Sequence, residues 1–257
     1  MIRNFRIQPL SKTLFSAALM TVFLVAPSLI ATSNNTTASN NYNIAAVASR
    51  AADETAAVIA EADVLYEDMS LDTKGLTKEA FENAFLGYKN LLEQGVVRKS
   101  NIITVADFSQ SSRNKRLFVI DVDQREVLMQ TYVAHGQGSG KEYATSFSNT
   151  PESHKSSLGF YITKNTYFGQ HGLSLNLGGL ERGINDNAES RRIVVHGANY
   201  IGDHHLRSNP FTGRSHGCPA VASKLSKTLI NTIKDGSVLF IYHPSTSYLK
   251  KSRILNG

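Results

Sequence analysis

The sequence predicts a mostly β domain of the α+β kind, preceded by a small helical region. Three observations predict it. Six short β-branched or aromatic runs follow residue 100, separated by polar and glycine-containing turns. Two segments with helical spacing of apolar residues come before them. The 257 residues hold a single cysteine, so no internal disulfide staples the fold and apolar packing must hold it. At 41% hydrophobic residues there is enough to bury one core and a small appendage.

Taken in order, residues 1–33 read as a signal peptide. Arg3, Arg6 and Lys12 precede an uncharged apolar run over 14–30, and Ala31, Thr32 and Ser33 supply the small residues of a cleavage site. The run is a little shorter than the ~20 residues that span a bilayer, which favours cleavage over a retained anchor. Both readings place the rest of the chain outside the cytoplasm, with no stable membrane insertion once the signal is cut. No cysteine follows closely enough to carry a lipid anchor.

Residues 34–43, rich in Asn, Thr and Ser, read as a disordered linker. The region 44–100 is expected to be helical: an alanine-rich helix over 44–69, then a second with Thr77 as its cap. Ala80, Phe81, Ala84, Phe85, Tyr88, Leu91 and Leu92 lie on one side of it, and Gly95 ends it. Two helices alone make a poor core, so they are expected to pack on the β-rich domain.

The β-rich domain is placed at 101–245. Its strands are read at 102–108, 117–122, 127–133, 160–163, 193–195 and 238–242, with a hairpin turn at Asp123, Gln124 and Arg125. A helix over 222–234 is carried by Leu225, Leu229, Ile230 and Ile233. Residues 246–257, with Lys250, Lys251 and Arg253, read as a basic, solvated C-terminal tail.

Charge excludes one class of partner. Of the formal +6, three charges are Arg3, Arg6 and Lys12, which leaves +3 on the remainder; this is no nucleic-acid footprint. The run from Gly136 to Gly140 lacks the strand-to-helix setting of a phosphate loop.

Chemistry concentrates in two segments. Arg192-Ile-Val-Val-His196-Gly197 ends an apolar strand in a histidine, and Gly213-Arg214-Ser215-His216-Gly217-Cys218-Pro219 sets the lone cysteine in a tight turn. A neighbouring imidazolium lowers a thiol from its ordinary pKa of about 8.5 into the range of roughly 3.5–7.5. His196 is the candidate partner, oriented through its second nitrogen by a backbone carbonyl. The N–H groups of Gly217 and Cys218 are candidates for an oxyanion site. These residues imply acyl transfer through a thioester.

The two segments resemble the signature of the YkuD-type L,D-transpeptidases, a histidine-glycine followed by Ser/Thr-His-Gly-Cys. Their surroundings, "RLFVIDV", "VAHGQGSG", "SFSNTPESHKSSLGFY", "RRIVVHGANY" and "GRSHGCPAV", resemble the murein L,D-transpeptidase catalytic domain subfamily over about residues 75 to 243. The resemblance implies a YkuD-like β-rich catalytic domain in which Cys218 is the acylated nucleophile and His196 its base. It assigns the Gly197 carbonyl as orienter, and Ser215, His216 and Gly217 as the wall and oxyanion face. It also implies peptidoglycan stem peptides as substrate, an amine acceptor that could be a wall-attached protein, no cofactor or metal, and a place in the periplasm or cell envelope.

Two departures stand out. Eighteen residues separate His196 from Ser215, a longer loop than the pattern has, and Pro219, Ala220 and Val221 follow the cysteine where a polar residue is common. Arg192 and Arg214 are the candidate substitutes for binding a substrate carboxylate; ordinary surface arginines are the competing reading. Tyr161, Tyr167 and Tyr200 are pocket candidates, against the competing reading that aromatic residues in strands are more often core.

Among other histidines, His216 is an alternative base with a turn-shaping role preferred, and His135 and His171 are read as structural. A zinc site of His204, His205, His216 and Cys218 is disfavoured, because adjacent histidines point apart. The alternatives to a transpeptidase are a carboxypeptidase- or endopeptidase-type hydrolase on the same scaffold and a non-catalytic peptidoglycan-binding protein.

Overall fold

The computed structural model describes residues 36–257; the expected signal peptide lies outside the described residues. The chain divides into two units at Ala46/Val47. Of the first unit only the opening turns of helix α1 (Thr36–Asp68) are described. They run through most of the stretch read as linker. It contains no glycine or proline, so nothing stops a helix nucleated in the alanine-rich part from propagating back into it. Among the described residues no helix is long and apolar enough to cross a membrane.

The second unit holds one sheet of eight strands. They are β1 (Ile102–Asp107), β2 (Leu117–Asp121), β3 (Glu126–Thr131), β4 (Gly159–Gly169), β5 (Gly172–Gly179), β6 (Val194–Ala198), β7 (Ala220–Ala222) and β8 (Val238–Tyr242). Their order is β3-β2-β1-β8-β4-β5-β6-β7. Neighbours are antiparallel except β1 with β8 and β6 with β7, which are parallel. The two edges meet: past β3, Val133 bridges Val221, and the Ala134 N–H donates to the Ala220 carbonyl at 2.8 Å. The sheet therefore curls nearly shut, leaving little open edge. The fold is mostly β, as the sequence predicts.

Two strands escape the sequence reading. Alternation of Leu173, Leu175 and Leu177 marks β5, but its glycines hide it, and β7 is only three residues long. Pairing with β5 also carries β4 well beyond the expected 160–163, as one arm of a hairpin with an irregularity between Thr163 and Thr166.

Helix α2 (Lys78–Glu93) lays Ala80, Phe81, Ala84, Phe85, Tyr88 and Leu91 into the sheet's own core. Gly87 in its middle is required by close approach, since a Cβ there would sit 2.0 Å from Cζ of Phe160 on β4. Thr77 stands at the N-cap but makes no cap. Its hydroxyl donates instead to Asp107 Oδ2 at 2.8 Å, pinning the helix start to the buried end of β1.

Helix α4 (Ser223–Ile233) follows β7 and buries Leu229, Ile230 and Ile233. The C-terminal segment is no solvated tail. It folds into α5 (Thr246–Lys251) and α6 (Arg253–Asn256), with Tyr248, Ser252 and Ile254 buried. Both the Tyr248 and Ser252 hydroxyls donate to the buried Glu181 carboxylate. Its basic residues Lys250, Lys251 and Arg253 are exposed while Tyr248, Ser252 and Ile254 pack inward, a pattern too short and irregular to register as periodicity in sequence.

Candidate active site

The parallel pair β6–β7 brings the two chemical segments together. His196 on β6 stands in register with Ala220 on β7, two residues past Cys218, and with Ser174 on β5 from the other side. A buried strand thus holds His196 while the turn entering the next strand holds Cys218. Gly197 allows α4 to close behind them, because a Cβ there would meet Ser226 Oγ at 2.7 Å. His196 Nδ1 lies 3.0 Å from the Gly197 carbonyl. An Nδ1–H donated to that acceptor leaves Nε2 as the basic nitrogen.

The turn is braced from within and from behind. Ser215 Oγ donates to the Cys218 carbonyl at 2.7 Å and accepts from the Gly217 N–H at 3.0 Å. Gly217 has φ +121°, and a Cβ on it would lie 2.7 Å from the Lys155 carbonyl. Ser156 Oγ donates to the Gly217 carbonyl and accepts from the Gly136 N–H. Arg191 ties this backing together, donating to the Lys155 carbonyl at 2.6 Å and to Ser157 Oγ at 2.6 Å.

Two sequence expectations change here. The Gly217 N–H is spent on Ser215, so it is not an oxyanion donor as the turn stands; the Cys218 N–H, which donates to no carbonyl, is the remaining candidate. The thiol is pushed up from its ordinary pKa, not down. Burial is the largest cause, only partly offset by the N–H groups of Val194 and Cys218 and by the Arg191 charge. Burial also lowers His196, partly opposed by its bond to the Gly197 carbonyl, with the charge of His171 adding to the lowering. The resting pair is therefore neutral thiol and neutral imidazole. The thiol hydrogen-bonds the Arg192 carbonyl, with Sγ 3.7 Å away, and no hydrogen bond joins it to His196. Arg192 itself takes φ +54°, a left-handed conformation uncommon outside glycine.

Cys218 and His196 open onto one cleft of about 690 Å³. Arg191, Arg192 and Arg214 line it with Tyr200 and His216, and no aspartate or glutamate does. Tyr200 packs over Gly213, where a Cβ would lie 2.3 Å from its ring. The opposite wall is the tip of the β4–β5 hairpin, with Tyr167, Gln170 and His171.

Tyr161 does not belong to the site. It sits on β4 between β5 and β8, fully buried, with its hydroxyl donated to the Ser157 carbonyl at 3.0 Å. Alternation along the strand sends it into the core, and burial raises its pKa.

The other histidines separate sharply. His135 is buried with Nδ1 2.8 Å from the guanidinium of Arg116, and burial drives it down to about 4. His204 and His205 lie on the short helix α3 (Asp203–Leu206), away from the cleft lining. Among the described residues no group of three or more His, Cys, Asp and Glu is placed to hold a metal. His216 is exposed and stacks on His154, centroids 4.3 Å apart at 5°.

His171 is the surprise. Read from sequence as structural, it stacks on His196 with centroids 4.3 Å apart. Sequence reasoning also passed over Arg191 for its neighbour Arg192. Only the register of β5 against β6 would have exposed the first, and nothing in composition distinguishes the second.

The profile of the L,D-transpeptidase catalytic domain (YkuD type) matches residues 72–242. The chain matches no curated protein. Among solved structures it is similar to an L,D-transpeptidase from Mycobacterium smegmatis, at 13% identity and TM-score 0.34 over 56% of this chain and 59% of that one. It is also similar to one from Mycobacterium tuberculosis H37Rv, at 15% and 0.33 over 56% and 58%. One from Stackebrandtia nassauensis matches at 14% and 0.34 over 65% and 68%. The chain thus spans less than two thirds of the length of the first two.

Proposed function

Because this chain belongs to the L,D-transpeptidase catalytic-domain family, we propose that it is an exported cysteine acyltransferase acting on peptidoglycan stem peptides. The observation that supports the reading is the β6–β7 pairing, with Cys218 on the turn into β7 and a strand histidine, its Nδ1 3.0 Å from the Gly197 carbonyl, opening onto the same cleft.

Catalysis begins from neutral groups. A stem peptide enters between the arginine-lined wall and the hairpin. The absence of lining acids and the presence of Arg192 and Arg214 favour a donor with a free carboxylate close to the bond that breaks. The thiol turns from the Arg192 carbonyl toward His196, whose Nε2 takes its proton as the sulfur attacks the carbonyl carbon. The Cys218 N–H faces the developing oxyanion; such a donor is worth about 3–4 kcal/mol. Collapse forms the thioester, and His196 returns the proton to the departing amine. An acceptor amine then attacks the thioester, His196 takes its proton, and the thiol is restored. A wall-attached protein amine is a further acceptor of the same chemical kind.

Mass spectrometry of purified disaccharide tetrapeptides incubated with the reduced chain tests this. Cross-linked dimers that disappear with Cys218→Ala are the expected result. Shortened monomers alone would replace the transferase with a hydrolase, and unchanged substrate would favour a wall-binding protein.

A further inference from the structure

We infer that His171, on the tip of the β4–β5 hairpin, is a positioning residue that holds the His196 imidazole in its catalytic plane by stacking on its face. The inference rests on His196 being the base. One edge of that ring is fixed by the Gly197 carbonyl at 3.0 Å. A single hydrogen bond at Nδ1 still lets a planar ring rock about its Cβ–Cγ bond, and terminal sp² torsions of this kind have broad wells. The His171 ring, at 4.3 Å and 22°, closes the face that the hydrogen bond leaves open.

The hairpin is built to deliver it. Gly172 takes φ +75°, which reverses the chain directly after His171. Its carbonyl accepts from Ser174 Oγ at 3.2 Å, and Ser174 is the residue in register with His196. The strand position opposite the base therefore ties down the turn that aims the stacking ring. His171 is itself exposed, so folding has no need of its imidazole; Gln170 Nε2 reaches its Nε2 at 3.1 Å from the solvent side.

Stacking also acts on charge. When His196 takes the thiol proton, the new imidazolium lies against an aromatic face, a favourable arrangement while His171 is neutral. A charged His171 opposes it by like-charge repulsion. The other titratable or charged groups facing His196 across the cleft are Tyr167 on the hairpin, Arg191 and Arg192 before β6, Tyr200 and Arg214 on the long loop, and His216 and Cys218 on the turn. The hairpin tip that covers the cleft and the orientation of the base are thus one mechanical unit.

The test is the alkylation rate of Cys218 by iodoacetamide against pH in the full, reduced chain, which reads the thiol and its base without any wall substrate. His171→Ala is expected to slow alkylation at neutral pH roughly tenfold with an unchanged melting temperature. His171→Phe, which keeps the stack, is expected to recover most of that loss. Its acid limb should lie at higher pH than in the wild type, because removing a charge that disfavours His196⁺ raises the pKa of the base. A His171→Ala chain with the wild-type rate and profile overturns the inference, as does a loss that phenylalanine does not rescue. If His196→Ala also alkylates like the wild type, the base assignment falls first. Normal alkylation behaviour in a chain that makes no muropeptide product sinks the proposed function while leaving the role of His171 standing.

Discussion

Two pairs of stacked imidazoles reach the cleft, His171 with His196, both of which line it, and His154 with His216, of which His216 does; each pair has centroids 4.3 Å apart. They are alike in contact and unlike in setting. His196 is buried on a strand, paired on both sides, with one nitrogen committed to a backbone carbonyl. His216 is exposed on a turn; only its partner is tethered, His154 Nδ1 lying 2.8 Å from Gln137 Nε2. A base needs one nitrogen fixed so that the other is aimed, and of His196 and His216 it is His196 that has a ring nitrogen held by the backbone. Nearness in sequence misleads here: His216 is two residues from the cysteine and His196 is twenty-two away, yet the sheet register favours the distant one.

The comparison breaks most visibly at Cys218, the proposed nucleophile. Cys218→Ala is expected to abolish the covalent adduct with a carbapenem-type β-lactam, read as intact-protein mass. The side chain is small and half-buried, so the melting temperature should stay within about 2 °C, in keeping with a loss well under the ~2–5 kcal/mol of a large core truncation. An adduct that persists in the variant would place acylation elsewhere and remove the reason for weighing these histidines at all.

Next in size is His196→Ala. Losing a general base lowers rates by about 10²–10⁴-fold, so acylation at neutral pH should fall into that range. The wild-type thiol is raised by burial and the imidazole lowered. At neutral pH both groups are thus uncharged, and activity depends on transfer between them. Without the imidazole the thiol must ionise unaided, so the residual rate should climb with pH toward and beyond the ordinary thiol range. A flat alkaline profile would mean that His196 acts by something other than taking the proton.

Legibility in sequence divides along what each feature depends on. Strands β1, β2 and β8 are fully buried apolar runs, and burial on both faces writes itself into composition. Cys218 and His196 stand out as candidates because a glycine-flanked cysteine and a strand-ending histidine are local patterns, whereas the Gly197 carbonyl is named only through the family resemblance. What failed depends on long-range register. Tyr161 reads as a pocket aromatic until β4 is threaded between β5 and β8, and His171 reads as structural until β5 is laid against β6. The thiol's raised pKa was missed for a related reason: a histidine in the sequence suggests a lowered thiol, whereas the burial that raises it exists only once the chain is folded.

That backing gives a third test. Gly217→Ala forces a side chain into a left-handed conformation and against the Lys155 carbonyl at 2.7 Å, strain worth about 1–3 kcal/mol. The melting temperature should drop by several degrees, and acylation should fall further than global stability explains because the shift is passed directly to Cys218. Equal, small losses in both would mean that the turn tolerates movement and that its bracing does not set the nucleophile.

The smallest effect is expected at the second histidine pair, and it is the one that decides between them. His216→Ala removes an exposed ring whose neighbour is another exposed or half-exposed ring, so the stability cost should stay within about 0.5 kcal/mol. The backbone of the turn is held by Ser215 and Ser156 through bonds that do not involve the imidazole, so Cys218 should keep its place. Acylation should then fall only a few-fold, through loss of one cationic or aromatic contact to substrate, and should appear as a weaker apparent affinity with the limiting rate preserved. The alkylation profile of the thiol against pH should overlay the wild type, because His216 takes no proton from it. If His216→Ala instead moves that profile while His196→Ala leaves it in place, the two histidines exchange roles. The exposed ring beside the cysteine would then be the base, with the buried strand histidine left as its scaffold.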